Sequence, residues 1–121
     1  MQLNKKQIPH LSMLQQYQQL LLNYFPNEIE RLILFGSVAR GDSHDESDID
    51  LLVVVSWNEQ YLGNGFYVAP YDDPRWQKII HLASDLSLEY GVLLSPKVMS
   101  KKRFEGWSPL GAQIKREGIE I

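Results

Sequence analysis

A small mixed sheet packed by helices, an α+β two-layer sandwich, is the fold to expect of this chain. Two helical patterns enclose a pair of short apolar runs. One of those runs is nearly continuous and β-branched, as a buried strand should be. Glycine, proline and serine fall at the joints between them. The length of 121 residues suits one domain and not two, so 1–121 is expected to form a single unit around its own core.

From Leu11 to Phe25, the residues Leu11, Leu14, Tyr17, Leu21 and Tyr24 recur every three or four positions and define one face of a helix. Pro26-Asn27 ends it. "RLILFG" at 31–36 is an apolar run stopped by glycine and reads as a buried strand. "DIDLLVVV" at 48–55 is a second strand, and its apolar end requires cover on both faces. The stretch 56–73 carries Gly63, Gly65 and Pro70 and reads as a long loop with a short strand at "FYVA".

Asp73-Pro74 is a helix start, an acid at the cap followed by proline in the first turn. Trp76, Ile79, Ile80, Ala83, Leu86 and Tyr90 keep helical period, and Gly91 is the expected stop. "VLLSPKVM" at 92–99 is a third strand in which Pro96 marks a bulge or a sheet edge. Ser100 caps a short helix through Phe104, and Ser108-Pro109 opens a last helix that ends at Gly118.

Composition excludes several classes. Apolar residues are 44% and charged residues 22%, which argues against disorder. There is no cysteine, hence no disulfide, thiolate zinc site or cysteine nucleophile, and a cytoplasmic location is expected. "MQLNKKQIPH" lacks the apolar core of a signal peptide, and "LLVVV" at 51–55 is far too short to cross a membrane. The net charge of -3 gives no basic footprint, so direct nucleic-acid binding is not expected.

Chemistry concentrates in "GSVARGDSHDESDID" at 36–50. Gly36 ends a strand and lets a phosphate approach the backbone; Ser37 adds a hydroxyl and an amide. "SVAR" can form one helical turn, and Arg40 is within reach of the same anion. The glycine spacing and lysine of a Walker loop are missing. Strand alternation puts Asp48 and Asp50 on one face and Ile49 on the other. Two adjacent carboxylates repel unless a cation sits between them, and such hard oxygen donors suit Mg²⁺ with waters and substrate phosphates. An acidic Asp-x-Asp alone is usually a solvated turn, but Asp50 runs directly into the strand. Gly-Ser, ten residues, then Asp-x-Asp would arise by chance in roughly one chain of this length per thousand. An EF-hand is excluded because its glycine and closing glutamate are absent.

"GSVARGDSHDESDIDLLVVV" resembles the signature of the polymerase-β-like nucleotidyltransferase superfamily, and is similar to its smallest branch, the minimal nucleotidyltransferases. The ending "SPLGAQIKREGIEI" resembles that branch too. Some of its members are antitoxins that act beside a helical HEPN-type ribonuclease toxin. The resemblance implies that Gly36 and Ser37 hold the β- and γ-phosphates of ATP. It implies that Asp48 and Asp50 are the catalytic, metal-holding pair for two Mg²⁺ ions, about 3.5–4 Å apart. The reaction implied moves a nucleoside monophosphate to an acceptor hydroxyl, with pyrophosphate leaving. Relatives that tail RNA or modify small molecules carry extra domains for their acceptors. Here the resemblance implies a hydroxyl on a partner protein of the HEPN type, with the chain as its antitoxin.

One departure stands out. The superfamily usually adds a third carboxylate from a later strand, yet "GVLLSPKVM" holds none, and Gly91, Leu93 or Ser95 stand near that place. Asp85 and Glu89 would reach the site only if the helix and strand edges differ from those above. A second reading therefore stays open, a weakly catalytic nucleotide-binding module that neutralises its partner by contact. A third is a small-molecule nucleotidyltransferase whose acceptor pocket lies between chains, as a homo- or hetero-oligomer.

His10, His44 and His81 are scattered and form no ligand set, and His44, within the motif loop, is read first as a solvated residue and second as a nucleotide contact. Trp76, Trp107 and Tyr90 are expected in the core rather than as stacking platforms. "SKKR" at 100–103 with Lys97 is the one basic cluster, read first as a solvated helix start and second as a clamp for triphosphate.

Overall fold

Strand β2 (Ile49–Val55) fills the middle of the fold because six of its seven side chains are apolar and buried on alternate faces. It pairs antiparallel with β1 (Ile29–Phe35) and parallel with β5 (Leu94–Ser100), and β6 (Ile119–Glu120) adds to the far side of β1. The mixed sheet has the order β5-β2-β1-β6. Pro96 thus lies on an edge strand, where its missing N–H costs no ladder bond on the open side. The computed structural model describes residues 7–43, 48–59, 61–64 and 73–121, and 66–67 by their backbone.

Helix α1 (Leu11–Tyr24) buries Met13, Leu14, Tyr17 and Leu21. Helix α3 (Pro74–Tyr90) buries Ile79, Leu82, Ala83 and Leu86. Both pack on the face formed by Leu32, Leu34, Ile49, Leu51, Val53 and Leu94. The buried Tyr17 hydroxyl donates to the Ile79 carbonyl at 2.8 Å and fixes one helix to the other. The opposite face, Ile33, Phe35, Leu52, Val54 and Met99, is covered by Phe104 of α4 (Lys101–Glu105) and Ile114 of α5 (Pro109–Glu117). Full burial of one such side chain stabilises by about 1.5–3 kcal/mol.

The expected joints are present. Asp73 caps α3 by accepting from Arg75 N at 2.8 Å, and Gly91 closes it at φ 69. Ser100 caps α4 and Ser108 caps α5, each accepting a hydrogen bond from the backbone N–H three residues on, at 3.1 and 3.0 Å. "SVAR" does turn once, as α2 (Gly36–Arg40). The loop after β2 holds a two-stranded hairpin, β3 (Tyr61–Gly63) with β4 (Phe66–Tyr67). Of the expected strand "FYVA", 66–67 form β4 and the rest lies outside the described residues.

Some residues expected in the core are not there. Tyr24 is 53% exposed because α1 ends at it and Phe25 turns inward instead. Trp107 is 82% exposed in the short connection between α4 and α5, whose inward positions Phe104 and Leu110 already fill. Tyr90, the last residue of α3, stays at the surface and donates to Gln16 Oε1 at 2.9 Å, while Trp76 is half-buried. Among the described residues no helix is long and apolar enough to cross a membrane.

Candidate active site

Where β1 ends and β2 begins, Phe35 is paired with Asp50. This antiparallel register carries the two halves of the motif to one place, although a loop separates them in sequence. Gly36 has φ +78, and a Cβ built on it would lie 2.5 Å from Asp50 Oδ2. Only glycine satisfies both conditions, so the strand end and the second acid are in direct contact. Val38 and Ala39 are buried and anchor α2, leaving Ser37 half-buried at the turn. Gly41 closes this turn with φ 80.

Asp48 is exposed just before β2, and Asp50 is half-buried on the strand. The N–H of Ile49 donates to Leu93 O at 2.9 Å, which fixes where the strand starts and so where both carboxylates stand. Burial pushes the Asp50 pKa up, and the charges of Asp48 and Glu117 push the same way against Lys97 and Arg40. A carboxylate that ionises with difficulty, beside a second one, is a donor set that a divalent cation would relieve. The pair therefore fits Mg²⁺ as part of a coordination shell. Among the described residues no group of three or more metal-ligating side chains occurs, so substrate oxygens and water would have to complete it.

The β5 side of the pair carries no acid. Ser95 is the residue paired with Asp50, and Lys97 follows on the same face. Asp85 and Glu89 sit on α3, which packs on the other face of the sheet, so neither joins the site. Lys97 lies near enough for its charge to favour ionised Asp50. The rest of the basic cluster is elsewhere: Lys101 pairs with Glu105 at 4.0 Å and Arg103 with Glu59 at 3.0 Å. His81 is exposed on α3, and His44 lies outside the described residues.

One residue of the site was not anticipated. Glu117, the last residue of α5, accepts from Gly36 N–H at 3.1 Å, from Arg40 Nη1 at 3.2 and 3.3 Å, and from Gln113 Nε2 at 3.0 Å. Burial works to raise its pKa, but the bonds from Gln113, Gly36 and Arg40 together outweigh it and hold the carboxyl below its ordinary value. Arg40 also bonds Asp42 Oδ2 at 3.2 Å. Its guanidinium is thus engaged with two carboxylates beside the turn. The sequence signal for Glu117 was faint, an acid directly before the glycine that stops the last helix.

A family model described as a nucleotidyltransferase domain matches residues 15–111. Two proteins of Methanocaldococcus jannaschii, each named "Putative protein adenylyltransferase", are similar in sequence. One is 39% identical over 75 residues, which is 62% of this chain and 64% of that protein, so the match spans a little under two thirds of it. The other is 34% identical over 91 residues, 73% of this chain and 74% of that protein. Among solved structures, "a putative nucleotidyltransferase from Sulfolobus solfataricus" is 18% identical with a TM-score of 0.54, over 96% of this chain and 80% of that one. That likeness is one of fold.

Proposed function

The chain belongs to the nucleotidyltransferase domain family, and on that premise we propose that it moves a nucleoside monophosphate, AMP from Mg²⁺-bound ATP, onto a hydroxyl of a partner protein. The observation that carries the reading is the contact between Gly36 and Asp50, which joins the phosphate-facing turn to the acid pair. The names of the two M. jannaschii relatives favour a protein acceptor. The resemblance of the motif to the antitoxin branch points to a helical HEPN-type toxin as that acceptor.

In this reading Ser37 faces the terminal phosphates, and Asp48 with Asp50 would hold Mg²⁺ against the phosphate oxygens. The metal would supply charge neutralisation at the phosphates. The acceptor oxygen bonds to the α-phosphorus, the bond from that phosphorus to the bridging oxygen breaks, and pyrophosphate leaves; the hydroxyl proton passes to water or a nearby carboxylate. Catalysis of this kind is mostly positioning and electrostatics. Gly36 contributes by being small enough for the turn and Asp50 to meet.

Thermal melting with ATP, GTP, CTP and UTP, each with and without Mg²⁺, tests the reading. A nucleotide at one hundred times its Kd should stabilise the fold by about 2.7 kcal/mol. The expected result is a magnesium-dependent rise that Asp50→Asn abolishes, followed by a nucleotide adduct on the partner in intact mass. No rise with any nucleotide would refute it. The second reading, a module that acts by contact, is favoured by the acid-free β5 with Ser95 beside Asp50. It requires that Asp50→Asn still bind and neutralise the partner.

A further inference from the structure

We propose that Glu117 is the positioning residue of this site. Its carboxylate holds the Gly36 turn against Asp50 and keeps Arg40 beside it, so that nucleotide binding depends on a residue of the last helix. The inference rests on the nucleotide reading above and adds to it a residue outside the motif.

The geometry starts at β6. Ile119 pairs with Leu34 and Glu120 with Ile33, which brings the end of α5 to the end of β1, where Glu117 accepts from Gly36 N–H at 3.1 Å. Gly118 allows this approach, because a Cβ there would meet Ile114 O and Ile33 Cγ2, both at 2.5 Å. The side chain of Glu117 is 16% exposed and aimed inward. It accepts from a backbone N–H, a guanidinium and an amide at once.

By charge alone a third carboxylate near Asp48 and Asp50 is unfavourable, and the charge of Glu117 does push the Asp50 pKa up. Three donors offset that repulsion, and two of them belong to the motif itself. Gly36 N–H is the informative one. With that bond made, the residue is held at φ +78, the conformation in which its Cα faces Asp50 Oδ2. Without it, the backbone of the turn loses its hydrogen bond to the end of α5. Arg40 would also be left with Asp42 alone and could swing from the turn.

The test compares Glu117→Ala, Glu117→Gln and, as a control on α5, Ser108→Ala, which removes that helix's cap without touching the site. Calorimetry gives the Kd of Mg-ATP, and hydrogen exchange in nucleotide-free protein reads the Gly36 amide. Glu117→Ala is expected to weaken Mg-ATP tenfold or more and to lose protection at Gly36. Glu117→Gln, which keeps an acceptor oxygen for that amide, should stay within threefold and keep the protection. Ser108→Ala should lower the melting temperature yet leave the Kd unchanged. If Glu117→Ala does not fold, Glu117→Asp, one methylene shorter, takes its place with the same expectation. Wild-type affinity and wild-type Gly36 protection in the Ala or Asp variant would overturn the proposal, as would an equal loss in Ser108→Ala. No Mg-ATP binding by wild type, with Gly36 still protected through Glu117, would overturn the nucleotide reading and leave Glu117 a structural clasp.

Discussion

Gly36 and Gly91 share a left-handed backbone, with φ +78 and +69, yet they answer to different constraints. Around Gly91 nothing lies within 4 Å of a built Cβ, so alanine there meets only the left-handed penalty, about 1 kcal/mol. At Gly36 the same penalty is joined by overlap with the Asp50 carboxylate. Gly36→Ala should therefore cost about 2–4 kcal/mol, as strain and overpacking together. It should also remove the magnesium-dependent stabilisation by ATP, whereas Gly91→Ala keeps it. Urea midpoints with and without Mg-ATP separate the two. Equal effects from both glycines would mean that the Asp50 contact is irrelevant. That two glycines differ in this way was half legible in the chain: the motif pointed to Gly36, but the contact appears only when β1 and β2 are in register.

Among the elements, those bounded by punctuation were readable and those defined by pairing were not. α3 was visible from Asp73-Pro74 to Gly91 because its cap, its first-turn proline and its stop are all local. β3 and β6 have three and two residues, too few to show any period, and exist because a neighbour offers its edge, whereas β4 opens the strand expected at "FYVA". Glu117 escaped notice for the same reason, since its partner Gly36 is 81 positions away. The α3 cap also carries a pH dependence. Asp73 accepts from the Arg75 side chain at 2.9 and 3.2 Å and from its N–H, and the side-chain bond holds the Asp73 pKa below its ordinary value. A carboxyl depressed on folding stabilises above its unfolded pKa, and that stability is lost as pH falls through the folded one. Asp73→Ala should cost about 1 kcal/mol at neutral pH. The gap between variant and wild type should narrow below the ordinary aspartate range, around pH 4. Urea midpoints over a pH series measure it, and a gap that persists undiminished into acid would exclude an ionised cap.

The whole molecule is organised by one sheet with a core on each face, and both cores use β1 and β2. The site sits at the end of that shared pair, next to where β6 closes the sheet along β1. Gly118 is the point where these relations meet. Its φ of -69 is open to any residue, so strain is no obstacle there, but a Cβ would press on a backbone carbonyl and on Ile33 at 2.5 Å each. The carbonyl cannot rotate away as a side chain would. Gly118→Ala must then shift the end of α5 off β1, with an overpacking cost of about 1–3 kcal/mol. Because the two cores share strands, that loss should appear as one transition, with near-UV and far-UV circular dichroism falling together. Because Glu117 is the adjacent residue, the same shift should weaken Mg-ATP. A variant that melts earlier in a single step but binds with unchanged Kd would separate the closing of the sheet from the positioning of the site.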